Sequence, residues 1–163
     1  MKKIEDLKNL EQETILLRLD LNVPLKNLQI TDTTRIDKIL PTLNFLIEKK
    51  CKIVILSHIG RPKGKVNKQL SMKPVCDFLS KKLNKKIKLI EENIFDFDPR
   101  SIFQNHDYTI AMLENIRFYE QEEKNDEKFA KLLSNFGNIF VNDAFSCSHR
   151  EHASVTKITN FLP

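Results

Sequence analysis

Five short, largely apolar runs recur along the chain: Ile15 to Leu19, Lys52 to Leu56, Lys86 to Ile90, Tyr108 to Leu113 and Ile139 to Val141. Runs of this length without strict alternation predict strands of a parallel sheet buried on both faces. Between them the period changes to 3.6 residues. After Asp32-Thr33-Thr34, which suit a helix start, Ile36, Ile39, Leu40, Leu43, Leu46 and Ile47 share one side. Pro41 is expected to interrupt and kink this helix, and Lys49-Lys50 suit its C-terminal end. Ser71 is expected to cap a second helix with Val75, Cys76, Phe78, Leu79 and Leu83 inward. A third helix is expected from Glu122 to Asn135, with Phe129, Ala130, Leu132, Leu133 and Phe136 inward. Residues 25 to 33 read as a loop, and a helical turn is expected around Pro99 to Gln104. Strand–helix alternation predicts an α/β fold, a three-layer, doubly wound parallel sheet with right-handed crossovers. No further helix or strand closes the last unit at Thr159 to Pro163, so the chain reads as cut.

Polar clusters lie just beyond four of the runs. They are Arg18 to Pro24, Ser57 to Pro62, Leu113 to Phe118, and Val141 to Phe145 with His149-Arg150 behind. Ligands of open α/β sheets bind outside the carboxyl ends of the strands. One edge should therefore gather Arg61, Arg117 and Arg150, joined by Arg35 at a helix start where backbone N–H groups favour anions. Guanidinium forks fit carboxylate and phosphate oxygens, and His58 and His149 can add donors. Asp20 and Asn22, two apart in extended backbone, point the same way. Asp20 can accept from a substrate hydroxyl or hold an arginine. Each signal alone is ordinary: a lone arginine past a strand is more often a surface ion pair, and Asn142-Asp143 alone fits a turn. Their convergence predicts a site for a small, highly charged anion.

Composition narrows the classes. The 163 residues suffice for one domain with a sizeable core. The net charge of +5 comes from lysines spread over helices and loops, without a basic tail. Only Tyr108 and Tyr119 are available as tyrosines, and the phenylalanines fall in core-like positions, so specific nucleic-acid binding is not expected. Three cysteines, Cys51, Cys76 and Cys147, are an odd count without close pairs, against a disulfide framework or zinc site. Three glycines leave no Gly-rich nucleotide loop. With neither a signal-peptide core nor a bilayer-length apolar run, no membrane role is expected and the cytoplasm is the expected home.

Taken together and in order, the clusters resemble phosphoglycerate kinase: Arg18-x-Asp20-x-Asn22-Val23-Pro24, Ser57-His58-x-Gly60-Arg61-Pro62, Leu113-Glu114-Asn115-x-Arg117-Phe118, and Val141-Asn142-Asp143-Ala144-Phe145 before His149-Arg150. The resemblance runs from about Ile4 to Pro163. It implies an enzyme of glycolysis and gluconeogenesis that transfers a phosphoryl group reversibly between 1,3-bisphosphoglycerate and ADP, giving 3-phosphoglycerate and ATP. It also implies a monomer of two hinged α/β domains: a Rossmann-like N-terminal one for the acid substrate and a C-terminal one for Mg-ADP or Mg-ATP. Carried over by motif, Asp20, Asn22, Arg35, His58, Arg61, Arg117 and Arg150 would bind substrate. Arg35 would also stabilise the transferring phosphoryl group, and Asn115, Asn142, Asp143 and His149 would stand behind. On this reading residues 1–163 are the phosphoglycerate-binding domain, incomplete at its C-terminal end, with the nucleotide domain absent. The isolated chain is then expected to hold one half-site and to catalyse nothing. The alternative is a vestigial fragment or a weak, non-specific anion or nucleic-acid binder. Two positions depart from the family: Ser146 stands where glycine is usual, and Ser148 where alanine is usual. If the turn at Ser146 needs positive φ, the serine costs about 1 kcal/mol.

Overall fold

The computed structural model describes residues 3–144 and 148–163. Phe145 of the fourth motif, Cys147 and the turn expected at Ser146 lie outside them. Strands β1 (Thr14–Leu19), β4 (Lys52–Leu56), β5 (Ile87–Ile90), β6 (Ile110–Leu113) and β7 (Ile139–Asp143) form one sheet in the order β5-β6-β4-β1-β7. Every pairing in it is parallel. The intervening β2 (Leu25–Lys26) and β3 (Gln29–Ile30) make a small antiparallel hairpin in the expected loop. Its two turn residues, Asn27 and Leu28, both take positive φ, the geometry a two-residue hairpin turn requires.

Strand alternation sorts the core into two layers. Ile15, Leu17, Leu19, Ile53, Ile55, Ile110 and Met112 belong to one cluster, which includes residues of α1 (Thr34–Glu48) and α2 (Lys73–Leu83). Leu16, Val54, Leu56, Ala111 and Leu113 belong to the other, with Phe129, Ala130 and Leu133 of α4 (Glu127–Ser134) and Ile158 of a terminal 3-10 turn. Helices thus cover both faces, and each buried Leu or Ile contributes about 1.5–3 kcal/mol. By the same alternation Arg18 turns toward the α4 face with Leu16. Cys51 and Cys76 are buried, and burial pushes the Cys76 thiol up to about 12, as for small hydrophobes.

The structure corrects three local expectations. The helix expected over Glu122 to Asn135 is two: α3 (Glu120–Glu123) and α4. Asn125 takes positive φ, and the Asp126 carboxylate accepts from the Phe129 N–H at 2.8 Å, which restarts the helix. Pro41 does not break α1, whose apolar residues Ile36, Ile39, Leu43 and Leu46 stay buried around it. The cap of α2 falls on Met72, while Ser71 Oγ accepts from Lys73 N–H at 3.1 Å. Near the end of the chain, the Pro163 carbonyl accepts from Phe140 N–H of β7 at 2.9 Å.

Gly137 leads into β7, where backbones meet closely. A Cβ there would come within 2.9 Å of Leu16 N and 3.0 Å of Thr14 O. These are backbone atoms of β1, which is paired on both sides, and have little room to yield. Gly137→Ala should therefore lower stability by about 1–3 kcal/mol, measured by urea unfolding; an unchanged midpoint would refute the close approach.

Candidate functional site

The carboxyl ends of β1 and β4 are cross-tied before any ligand enters. The Ser57 hydroxyl donates to Leu19 O at 2.9 Å and accepts from Leu21 N–H at 3.0 Å. Asn22 Oδ1 accepts from Gly60 N–H at 2.9 Å, fixing the loop after β4 against the loop after β1. Gly60 has φ +63°, and a Cβ there would press on Leu70, which explains a glycine at this position. Asp20 holds an arginine, as its chemistry allowed: Arg35 Nη1 donates to Asp20 Oδ1 at 3.1 Å and to Asn22 O at 2.9 Å. Arg35 is half exposed, so water screens the pair and its contribution to stability is small.

The end of β6 supplies the other wall. Asn115 is buried, and its Nδ2 donates to Ile59 O at 2.8 Å and Leu70 O at 2.9 Å, while Oδ1 accepts from Arg117 N–H at 3.0 Å. Asn115 therefore buttresses the β4 loop and the turn carrying Arg117. Glu114 acts beside it: its carboxylate accepts from Ser71 Oγ at 2.7 Å, Met72 N–H at 2.6 Å and Asn115 N–H at 2.9 Å. This places Glu114 at the start of α2. Arg117 is almost wholly buried, with Glu123 at 3.8 Å. Asp143 accepts from Thr42 Oγ1 at 2.6 Å, joining β7 to α1, and Asn142 closes a turn by accepting from Ala144 N–H at 3.0 Å. His149 is exposed and does not line the cavity described next.

Asp20, Asn22, Arg35, His58, Gly60, Arg61, Arg117 and Arg150 line one cavity of about 190 Å³. All seven residues singled out in the sequence as substrate contacts are there, from five separate stretches of chain. The lining carries four guanidiniums against one carboxylate, and among the described residues neither Arg61 nor Arg150 has a carboxylate partner. Such a field attracts anions. The volume lies below the ~300–1,000 Å³ of pockets for drug-sized ligands, which favours a small acid over a nucleotide. The two tyrosines are not a stacking platform: the Tyr108 hydroxyl donates to Ile102 O at 2.7 Å, and Tyr119 Oη accepts from Ile94 N–H at 3.0 Å within an aromatic cluster.

Beneath the cavity lies a polar layer that the sequence reading did not assign. Arg18, buried in β1, donates from Nη2 to His58 Nδ1 at 3.0 Å, from Nη1 to Leu19 O at 2.6 Å, and from Nε to Ser154 Oγ at 3.0 Å. Burial, with Arg18 and Arg117 adding to it, lowers His58 to about 2. His152 is lowered too, first by burial and then by Arg117. Glu122 is fully buried; burial raises its carboxyl, while Arg18 and Ser154 pull it down. An arginine inside the apolar run Ile15 to Leu19 was the available signal.

Among the described residues, no three His, Cys, Asp or Glu side chains gather as a metal site, and no helix is long and apolar enough to cross a membrane. The sequence profile of the family described as "Phosphoglycerate kinase" matches residues 4–163. The phosphoglycerate kinase of Wolbachia pipientis wMel is 49% identical over 155 residues, covering 95% of this chain and 39% of that protein. That of Borrelia garinii is 44% identical over 163 residues, covering all of this chain and 42% of its relative. Among solved structures, phosphoglycerate kinase from Coxiella burnetii superposes with a TM-score of 0.85 at 38% identity, over 98% of this chain and 39% of that one. The Pyrococcus horikoshii enzyme gives 0.86 at 31% identity, over 100% and 41%. The chain thus spans about two fifths of the length of the relatives it matches. With a match over nearly its whole length and a sheet that superposes on theirs, the chain belongs to the phosphoglycerate kinase family.

Proposed function

We propose that this chain is the phosphoglycerate-binding N-terminal part of a phosphoglycerate kinase of glycolysis and gluconeogenesis, and that its cavity holds 3-phosphoglycerate or 1,3-bisphosphoglycerate. The observation that carries the reading is the convergence of Arg35, Arg61, Arg117 and Arg150 with His58 on one small cavity. Arg61, Arg117 and Arg150 take the phosphate. Asp20 and Asn22 take the glycerate end, and Asp20 keeps Arg35 poised at the rim. Arg35, half exposed at the start of α1, is the group free to follow a phosphoryl group as charge moves during transfer.

Mg-ADP and Mg-ATP belong, on this reading, to the part of the family's length that this chain does not span. The described residues offer neither a glycine-rich phosphate loop nor a carboxylate cluster for the metal. Phosphoryl transfer needs donor and acceptor held together, and the isolated chain is expected to bind the acid without turnover. The complete enzyme would work in the cytoplasm as a hinged monomer.

His58 sets the behaviour in acid. The Arg18 guanidinium can only donate, so Nδ1 of His58 must accept and the ring proton must sit on Nε2. The folded pKa of about 2 lies below the ordinary 6.5, so the unfolded chain binds more protons between those values. The stability held above pH 6.5 is therefore lost as pH falls below it.

Three outcomes follow from this reading. Calorimetric titration should show saturable 3-phosphoglycerate binding, weakened about 10- to 100-fold by Arg61→Gln through loss of a charge-assisted contact; equal affinity would refute the assignment, and a folded chain without binding would favour the vestigial alternative. Urea unfolding should show a fall of about 2 kcal/mol from His58 between pH 7 and pH 5. His58→Gln should remove that part of the acid sensitivity, leaving the part due to His152; an undiminished slope counts against a buried neutral imidazole. The purified chain should show no phosphoryl transfer with Mg-ATP and 3-phosphoglycerate, and turnover free of contaminating kinase would overturn the half-site reading.

A further inference from the structure

We propose that Glu122 and Ser154 are positioning residues for the anion site. Through a buried relay of Glu122 carboxyl, Ser154 hydroxyl, Arg18 guanidinium and His58 imidazole, they fix the tautomer and orientation in which His58 presents its Nε2–H to the cavity. The functional side of this inference rests on the phosphoglycerate reading of the cavity; the relay itself does not.

The relay follows from the demands of one charge. Arg18 has no exposed surface and cannot lose its proton, so its donors must be met inside the protein. The Nη1 group is spent on the carbonyl ends of β1 and β4, at Leu19 O (2.6 Å) and Leu56 O (3.4 Å). Nη2 meets His58 Nδ1 at 3.0 Å, and Nε meets Ser154 Oγ at 3.0 Å. The serine hydroxyl, accepting from Arg18, donates onward to Glu122 Oε2. The other carboxyl oxygen, Oε1, accepts from Ser154 N–H at 2.6 Å. Glu122 therefore grips both donors of Ser154, which aims the serine's lone pair at Nε. With Nε held, rotation about the Cδ–Nε bond is blocked, and Nη2 stays aimed at His58. Arg18 of β1 pairs in register with Leu56 at the end of β4, and His58 follows two residues later, so the final contact spans adjacent strand ends.

The same latch joins two cavity walls. Glu122 lies in α3, just after the turn that carries Arg117. Ser154 follows the segment that carries Arg150. A second contact doubles the latch, from Ala153 N–H to the Glu122 carbonyl at 2.9 Å. Losing Ser154 Oγ would leave the backbone tie in place while releasing Arg18, which separates orientation from anchoring.

The test uses the 163-residue chain with ¹⁵N-labelled histidine, together with Ser154→Ala and Glu122→Gln. Without ligand, wild-type His58 should show an unprotonated Nδ1 and a protonated Nε2. Ser154→Ala should show a mixture of tautomers while keeping a folded spectrum. Glu122→Gln, which preserves shape but puts an amide where the carboxylate accepts, should shift the same signals and stands in if the alanine variant does not fold. In the second arm, 3-phosphoglycerate affinity should fall about tenfold in either variant, the scale of one well-aimed charged hydrogen bond. Retention of a single wild-type tautomer in both variants overturns the relay, as does a wild-type ring protonated on Nδ1. Affinity unchanged in variants whose tautomer has shifted removes its role in binding. A wild-type chain that binds no phosphoglycerate, yet loses its tautomer in Ser154→Ala, upholds the relay and refutes the substrate reading.

Discussion

A guanidinium buried in an interior strand of a parallel sheet has no water to turn to, and much of this molecule's polar architecture follows from Arg18. Its charge must be met by groups brought from β1, β4 and the segment after β7. Those groups converge only if the sheet has the order β4-β1-β7 and the register that sets Arg18 beside Leu56 and Asn142. Replacing a whole buried charged network by well-packed apolar side chains often leaves stability unchanged or raises it, so stability alone does not explain the arginine and the partners gathered around it. What it supplies is order: a neutral His58 facing the cavity, and fixed strand ends beneath the four arginines that line it.

The cavity itself shows how opposing electrostatic demands are met. Gathering Arg35, Arg61, Arg117 and Arg150 around about 190 Å³ is unfavourable while no anion is bound. Arg35 is half exposed and tempered by Asp20, while Arg117 has Glu123 nearby. Hydrogen bonds between the side chains of Asn22, Ser57 and Asn115 and the backbone hold the loops against that repulsion: Asn22 and Ser57 accept from Gly60 and Leu21 N–H, and Asn115 donates to Ile59 O. These ties leave Arg61 and Arg150 without carboxylate partners among the described residues, the arrangement expected of a preorganised anion site.

The sheet was legible because five apolar runs and intervening 3.6-residue periods admit few alternatives. Individual ends were less so. Asn125 and Asp126 split the third helix through positive φ and a side-chain cap, and the apolar pattern of Phe129, Ala130 and Leu133 carries no trace of the break. The β2–β3 hairpin turns on Asn27-Leu28, where leucine lacks the usual turn chemistry. In the site, residues at strand ends could be found because topology fixes where strand ends go. Glu122 and Ser154 could not: each looks like an ordinary surface residue until packing brings Arg18 between them and His58. Glu122 lies in a run of acids, which reads as a solvated helix face.

The most direct measurement is a backbone-amide NMR titration of the chain, first with 3-phosphoglycerate and then with Mg-ATP. The account predicts saturable shifts with the acid at Asn22, Arg35, Gly60, Arg61, Arg117 and Arg150, and no comparable saturation with Mg-ATP. A well-dispersed spectrum that does not respond to 3-phosphoglycerate, or that responds equally to both, would contradict it.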